Sequence, residues 1–262
     1  MIAIIGAGAM GEVFVAGLLR AGTEPHRLVI CEKHAERAQE VAQRHGVRSV
    51  TLTEAARESA TVLLLVKPQD IPGVLEEMSP HLSDGTVVIS LAAGVRLSAL
   101  EAGLPRAAVV RAMPNTPALV DLGITAISPG ATCSPHQAEY VERLLSAVGP
   151  VVRVPEELQD AVTATSGSGP AYVFALVEAM VAGAVDLGID PAVAHQLVTQ
   201  TVLGAATMAS RPGADPAALR VQVTSPGGTT AAALGVFQAG DLGGLVAQAM
   251  RAARDRGREL GA

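Results

Sequence analysis

Six residues near the beginning of the chain, GAGAMG at positions 6–11, restrict the fold most strongly. They directly follow the apolar run Ile2–Ile5 and open an amphipathic, helix-like stretch at 10–21. In such a strand–turn–helix unit the first glycine permits a tight turn, the second lets the backbone approach a pyrophosphate, and the third lets helix and strand pack closely. The motif therefore predicts a dinucleotide-binding unit. The expected cofactor loop consists of Gly6, Ala7, Gly8, Ala9, Met10 and Gly11.

The first half of the chain alternates short apolar runs with amphipathic stretches. The runs are rich in Val, Ile and Leu with little alternation, as expected for strands covered on both faces. The expected strands are Ile2–Ile5, Leu28–Cys31, Arg48–Val50, Thr61–Val66, Thr86–Ser90, Ala107–Ala112, Ile124–Ser128 and Val151–Val154. The sequence thus predicts an α/β Rossmann domain over residues 1–155, with a mostly parallel, doubly wound sheet.

Over residues 156–262 the spacing of apolar residues becomes helical. The expected helices are 170–187, 191–210, 216–223, 229–239 and 242–260. The first of them is apolar nearly all round, and a helix of this kind must be buried on every face. A small helical domain offers few places for it, so we expect it to pair with a second subunit. A central position in a monomeric bundle is the alternative.

Charge and composition exclude several functions. The 262 residues carry 19 Lys and Arg against 25 Asp and Glu, and this net charge of −6 argues against binding to nucleic-acid phosphates. Aromatic residues make up 2%, so base-stacking platforms and membrane aromatic belts are not expected. Cys31 and Cys133 cannot form a disulfide framework, and we identify neither a signal peptide nor a membrane span. We therefore expect a cytoplasmic protein that binds neither nucleic acid nor a membrane.

The end of the second strand bears on the choice of dinucleotide. A carboxylate at Glu32 would accept a hydrogen bond from the adenosine ribose and repel a 2′-phosphate, which favours NADH. Lys33 and Arg37 follow at once, and cations suit the 2′-phosphate of NADPH. Both cations could instead lie on the solvated face of the next helix. NADPH and NADH therefore both remain candidate cofactors.

Further candidates follow later strands, because ligands of open parallel sheets lie beyond the carboxyl ends of the strands. They are Lys67 and Pro68 after the fourth strand, Ala92 and Ala93 after the fifth, and Asn115 after the sixth. Lys67 could face the cofactor or remain a solvated loop lysine. Asn115 could offer its amide to ribose or nicotinamide, or serve as a turn residue.

A hydroxyl-rich loop at 224–230 opens one of the predicted helices. Backbone N–H groups at a helix N-terminus bind anions, so a small carboxylate could sit there while a hydroxyl addresses a neighbouring atom. Helix capping is the alternative reading. The scattered histidines form no metal-ligand cluster and no Ser-His-Asp arrangement, so neither a metal site nor hydrolysis is predicted.

Six segments together resemble the pyrroline-5-carboxylate reductase family in order and spacing. They are IGAGAMG, LLLVKPQD, SLAAGV, VVRAMPNTPALVDLG, TSGSGPAYVFALVEAM and VTSPGGTTAAAL. The resemblance implies a Rossmann domain followed by an all-α dimerisation domain, with dimers assembling into larger rings, often decamers. It also implies the reduction of 1-pyrroline-5-carboxylate to L-proline by NADPH or NADH, the last step of proline biosynthesis.

The same resemblance assigns a substrate loop, supplied by the partner subunit, with Thr230 as the catalytic residue at the ring nitrogen. The loop residues are Ser225, Gly227, Gly228, Thr229 and Thr230. One departure is Val221, which stands where the family usually has an acid. A related reductase acting on another cyclic imine, and a catalytically silent dinucleotide-binding protein, therefore remain alternatives.

Overall fold

An eight-stranded sheet forms the framework of the first part of the chain in the computed structural model, which describes residues 1–260. The strands are β1 (Ile2–Ile5), β2 (Leu28–Cys31), β3 (Arg48–Ser49), β4 (Thr61–Leu64), β5 (Val87–Ser90), β6 (Ala108–Met113), β7 (Thr125–Pro129) and β8 (Val151–Arg153). Their spatial order is β3-β2-β1-β4-β5-β6-β7-β8. The order reverses between β1 and β4, and ligands of doubly wound sheets bind beyond the carboxyl ends of the strands at such a point.

Strand β7 runs antiparallel to β6, whereas the other neighbouring strands that the structure describes pair in parallel. Between β6 and β7 the chain forms only a short 3₁₀ turn, Thr116–Val120. A parallel return would need a crossover of about a dozen residues or more, usually with a helix. The predicted mostly parallel, doubly wound sheet is confirmed, with β7 reversed after a connection that contains no α-helix.

Helices cover both faces of the sheet. They are α1 (Ala9–Arg20), α2 (Ala35–His45), α3 (Leu52–Glu58), α4 (Ile71–Met78), α5 (Leu97–Gly103) and α6 (Pro135–Leu145). Successive strand residues point to opposite faces. Ile4 belongs to the same buried cluster as Phe14 of α1, and Ile5 belongs with Leu75 of α4 to the cluster on the other face. Burial of each such side chain stabilises the fold by about 1.5–3 kcal/mol. The packed sheet therefore fixes the positions of the loops that follow its strands.

The segment after β8 packs with the sheet. Helix α7 (Gln159–Val162) continues into a π-helical turn, Thr163–Gly167, and the first compact unit extends from Met1 to Ser168 and includes the end of the last helix. Gln159 is fully buried, and its Nε2 donates to Ser128 Oγ at 2.9 Å. The functional boundary at residue 155 stays a prediction. Residues 261–262 of the predicted helical domain lie outside the described residues.

Residues 169–251 form a second unit, which is all-helical. Its helices are α8 (Gly169–Asp186), α9 (Pro191–Ala209), α10 (Pro216–Gln222), α11 (Thr229–Ala239) and α12 (Leu242–Leu260), the last of which ends in the first unit. Asp190 caps α9 by accepting a hydrogen bond from Ala192 N–H at 2.9 Å, and Asp215 caps α10 in the same way. The predicted succession of a Rossmann domain and a helical domain is confirmed.

Helix α8 has no buried residue within the single chain. Phe174 is 65% exposed and Leu176 50%, and α9 exposes Leu203 at 55%. By length and composition alone, the helical stretch Glu156–Asp186 is long and apolar enough to cross a membrane, and α11 with α12 passes as a bent pair. Contiguous exposed apolar surfaces of this kind usually mark an interaction site.

Candidate active site

The glycine loop joins β1 to α1 in a conformation that glycine alone supports. Gly6 has a φ of +95°, and a Cβ at this position would lie 2.8 Å from the carbonyl carbon of Leu65. A Cβ on Gly11 would collide with the carbonyl oxygen of Gly6, so helix and loop approach closely there. A Cβ on Gly8, in contrast, would meet no atom within 4 Å. The loop is thus closed against the protein at two glycines and open at the third.

The N-terminus of α1 presents free donors beside this opening. Gly8 is the N-cap residue and no side chain caps the helix. The first N–H groups of a helix lack partners within it and carry a partial positive charge, which makes them a binding site for a phosphate. The open side of Gly8 and the uncapped helix fit the pyrophosphate of a dinucleotide.

A cleft of about 700 Å³ lies beyond the carboxyl ends of β1, β2 and β4. Of the predicted cofactor residues it brings together Gly6, Gly8, Glu32, Lys33 and Lys67. Leu52 and Val74 add apolar wall suited to a flat base. The other loop residues do not line this cleft. Ala7 and Gly11 are buried, Met10 packs against the core, and Ala9 is exposed at the start of α1.

The carboxylate of Glu32 is fixed at the end of β2 by two backbone groups. Its Oε2 accepts the N–H of Ala7 at 2.9 Å, and its Oε1 accepts the N–H of His34 at 3.1 Å. The acid is therefore held in the wall of the cleft, next to the glycine loop. Its neighbour Lys33 points its Nζ to Asp70 Oδ2 at 3.2 Å, in an exposed ion pair.

A second cleft, of about 1000 Å³, lies beyond β4 and β5. It is lined by the predicted residues Pro68 and Ala93, whereas Ala92 is buried and does not line it. Sequence reasoning missed Gln69, Arg96, Asp160 and Thr163, which also line this cleft. Gln69 and Arg96 follow strand ends and could have been found by the rule that selected Lys67. Asp160 and Thr163 gave no such signal.

Asp160 reaches the second cleft because a buried arginine holds its segment. Arg111 of β6 lies 3.3 Å from Glu156 Oε1 and 3.4 Å from Asp160 Oδ1, and its side chain is 6% exposed. Glu156 also accepts the N–H of Leu97 at the start of α5. A buried arginine needs such carboxylate partners, and here they tie residues 156–160 to the sheet.

Asn115 has a structural contact in the loop after β6. Its Oδ1 accepts the N–H of Ile124 at 2.9 Å, which closes the loop that leads into β7. Among the described residues, it lines neither of the two clefts described above. The observed contact corresponds to the turn alternative, and a role toward the cofactor stays a prediction for its free amide group.

The second unit carries the hydroxyl-rich loop before α11. Gly228 is the N-cap residue, its N–H donates to the carbonyl of Ser225 at 3.1 Å, and no side chain caps the helix. The hydroxyls of Thr229 and Thr230 have no partner among residues 1–260, whereas that of Thr224 donates to the carbonyl of Arg220 at 2.6 Å. Uncapped N–H groups beside free hydroxyls can bind a small carboxylate and a neighbouring polar atom.

Within residues 1–260, no group of three or more His, Cys, Asp or Glu side chains is arranged to hold a metal ion.

Comparisons with known proteins cover the whole chain. Residues 156–260 match the family model described as pyrroline-5-carboxylate reductase dimerisation, and residues 1–94 match that described as NADP oxidoreductase coenzyme F420-dependent. The pyrroline-5-carboxylate reductase of Corynebacterium melassecola is 42% identical over 268 residues, which covers 99% of this chain and 98% of the relative. That of Pseudomonas aeruginosa is also 42% identical and covers 99% and 96%.

Two solved structures agree in fold over the full length. A pyrroline-5-carboxylate reductase from Coxiella burnetii has a TM-score of 0.95 at 38% identity, covering 100% of this chain and 98% of the other. The Plasmodium falciparum pyrroline carboxylate reductase, solved with NADP bound, has a TM-score of 0.88 at 26% identity, with the same coverage. The resemblance found in the six sequence segments is thereby confirmed, and the chain belongs to the pyrroline-5-carboxylate reductase family.

Proposed function

We propose that this protein reduces 1-pyrroline-5-carboxylate to L-proline with NADPH or NADH, as the last step of proline biosynthesis in the cytoplasm. One observation carries the proposal: this chain has both an open glycine loop and an uncapped hydroxyl loop, and it aligns over 99% of its length with a pyrroline-5-carboxylate reductase. The first suits a dinucleotide and the second a small carboxylate with an adjacent nitrogen.

The dinucleotide is held by residues of the first unit in this proposal. The pyrophosphate lies against Gly8 and the N-terminus of α1, and Glu32 accepts the ribose hydroxyl. Lys67, Pro68, Ala92 and Ala93 border the rest of the cofactor, and Asn115 offers its amide group. When bound, the cofactor supplies the hydride for the carbon of the C=N bond.

The substrate is held by the loop before α11. The N–H groups of the first helical turn bind its carboxylate, and the Thr230 hydroxyl hydrogen-bonds to the ring nitrogen. Ser225, Gly227, Gly228 and Thr229 shape the loop around it. No strong acid is needed if the imine binds already protonated, since a cationic C=N group accepts hydride readily. Thr230 therefore orients the ring.

A homodimer completes the proposal. The matched dimerisation family and the bare surface of α8 both support a partner subunit that covers the apolar helices. We propose that dimers assemble further into a ring such as a decamer, with each substrate loop serving its partner subunit. Residues 1–155 would then act as the cofactor domain and 156–262 as the substrate and dimerisation domain.

An oxidation assay tests the activity. Purified protein is expected to oxidise NADPH or NADH with pyrroline-5-carboxylate and to release proline, and to leave 2-oxo acids unreduced. The six-membered imine carboxylate belongs in the same assay, because Val221, 65% exposed near the end of α10, stands where the family usually has an acid. Preference for the larger ring would make this a reductase of another cyclic imine. Tight cofactor binding without turnover would indicate a dinucleotide-binding protein that has no catalytic activity.

A further inference from the structure

The peptide groups on the two sides of Ala7 are held by opposite charges. On one side, Glu32 Oε2 accepts the Ala7 N–H at 2.9 Å. On the other side, Arg37 Nε donates to the Ala7 carbonyl oxygen at 3.0 Å. Glu32 directly follows β2 and Arg37 lies in α2, and the two side chains hold the centre of the glycine loop between them.

The contact with Arg37 determines the direction of a neighbouring donor. The Ala7 carbonyl and the Gly8 N–H belong to one planar trans peptide, in which the two groups point in opposite directions. With the carbonyl turned to Arg37, the Gly8 N–H points away from it. This N–H has no acceptor in the described chain, and Gly8 lines the 700 Å³ cleft.

Arg37 is itself held in place by acids on two helices. Its guanidinium forms ion pairs with Glu12 of α1 and, at 2.9 Å, with Glu40 of α2. Glu12 further binds Arg44 at 2.5 Å and His45 at 3.0 Å. With three partners already, Arg37 does not line the cofactor cleft. The sequence alone leaves Arg37 either as a cation for a 2′-phosphate or as a residue on the solvated face of α2, and in the structure it contacts Glu12, Glu40 and the Ala7 carbonyl.

We propose that Arg37, anchored by Glu12, is a positioning residue of the cofactor loop that aims the Gly8 N–H at the pyrophosphate and makes no contact with a 2′-phosphate. The inference rests on the proposed use of NADPH or NADH. Since both cofactors share the pyrophosphate, Arg37 supports their binding equally. A residue that bound the 2′-phosphate would support NADPH alone.

Binding measurements with cofactor fragments test this role. Titrations of NADH, NADPH, ADP-ribose and adenosine are run on the wild type, Arg37→Gln and Arg37→Lys. In Arg37→Gln we expect the first three to bind about tenfold more weakly, the scale of one hydrogen bond to a charged group, and adenosine to bind as before. Lysine keeps the charge without the planar fork, so Arg37→Lys is expected to recover part of the loss. Arg44→Gln, which touches the same acids but not Ala7, is the matched control and stays close to wild type.

Two results would overturn the inference. A loss confined to NADPH would place Arg37 at the 2′-phosphate, and unchanged ADP-ribose binding would show that the loop does not depend on it. If Arg37→Gln fails to fold, Glu12→Gln takes its place. We expect this variant to lose affinity for NADH and NADPH to the same extent, and by less than expected for Arg37→Gln. An unchanged affinity for both cofactors would count against the inference. Failure of the wild type to bind either cofactor would instead reject the proposed function.

Discussion

The carboxylate of Glu12 on α1 lies 3.0 Å from the Nε2 of His45 at the end of α2. Burial raises the pKa of Glu12, but hydrogen bonds from His45, Arg37 and Arg44 lower it by more, to about 2 from an ordinary value of 4.5. The same carboxylate thus joins the two helices that flank the glycine loop. Its ionised form is part of the folded structure.

This depressed pKa predicts a loss of stability in acid. Above pH 4.5 both folded and unfolded chains carry the charge, and the favourable contacts of Glu12 count fully. As the pH falls from there toward about 2, the unfolded chain takes up the proton first, so the free energy of unfolding decreases. We expect this residue to account for about 1 kcal/mol, because its ion pairs are partly solvated.

Urea unfolding across that pH range measures the effect. The unfolding midpoint of the wild type should fall more steeply between about pH 5 and pH 3 than that of Glu12→Gln, which has no proton to bind. Glu36→Gln removes an exposed acid from the neighbouring helix α2 and should follow the wild type. Parallel curves for wild type and Glu12→Gln would contradict the prediction.

Thr230→Val is expected to slow turnover with little change in cofactor affinity. A hydrogen bond to a charged partner contributes about 1.5–3 kcal/mol, or roughly 10–150-fold in rate. Valine keeps the shape of threonine at the start of α11, so the helix should persist. Steady-state kinetics with pyrroline-5-carboxylate, together with cofactor titration, separate the two effects.

Thr224→Val is the control for this loop. Its hydroxyl already donates to the carbonyl of Arg220, so its removal should alter stability slightly and the rate hardly at all. Wild-type kinetics in Thr230→Val, or an equal loss in both variants, would remove Thr230 from its proposed catalytic position.

Dimer formation through α8 predicts the effect of a charge on that helix. Ala175 is exposed in the single chain and would be buried against the partner. In Ala175→Asp an unpaired carboxylate would be buried at the interface, which costs several kcal/mol and should produce monomers at micromolar concentration. Light scattering measures the mass, and activity should fall with it. Ala35→Asp, on the exposed start of α2, should leave the assembly intact.

Local patterns were sufficient to predict β1 and the strand–turn–helix unit of the glycine loop. The apolar run and the spacing of the glycines act over a few residues, and the structure forms both as expected. The reversal of β7 accompanies a connection that forms a 3₁₀ turn and no α-helix. The periodicity of apolar residues gave no information about the direction of this strand.

Contacts distant in sequence could not be predicted in this way. Asp160 reaches the second cleft because Arg111, 49 residues earlier, binds it from inside the sheet. The sequence leaves Arg37 as either a cation for a 2′-phosphate or a surface residue of an amphipathic helix, and its contacts with Ala7 and Glu12 depend on how α1 and α2 pack together. Side-chain direction of this kind follows from tertiary packing, which a single sequence does not display.

The choice between NADH and NADPH gives the last prediction, at Glu32. Its carboxylate is fixed in the cleft wall, where it would repel a 2′-phosphate by about 1 kcal/mol in a solvated site. Lys33 is an exposed cation that could offset a similar amount, although Asp70 already binds it. We therefore expect the wild type to use both cofactors with less than about a hundredfold preference.

Glu32→Ser should move the ratio of kcat/KM values toward NADPH, whatever its starting value, because the repulsion is lost and serine can donate a hydrogen bond to the phosphate. The variant also loses the contact with the Ala7 N–H, so NADH should bind more weakly in absolute terms. Glu36→Ser makes the same change in net charge outside the cleft and should leave the ratio unchanged. A ratio that stays fixed in Glu32→Ser, or moves toward NADH, would mean that Glu32 does not face the ribose.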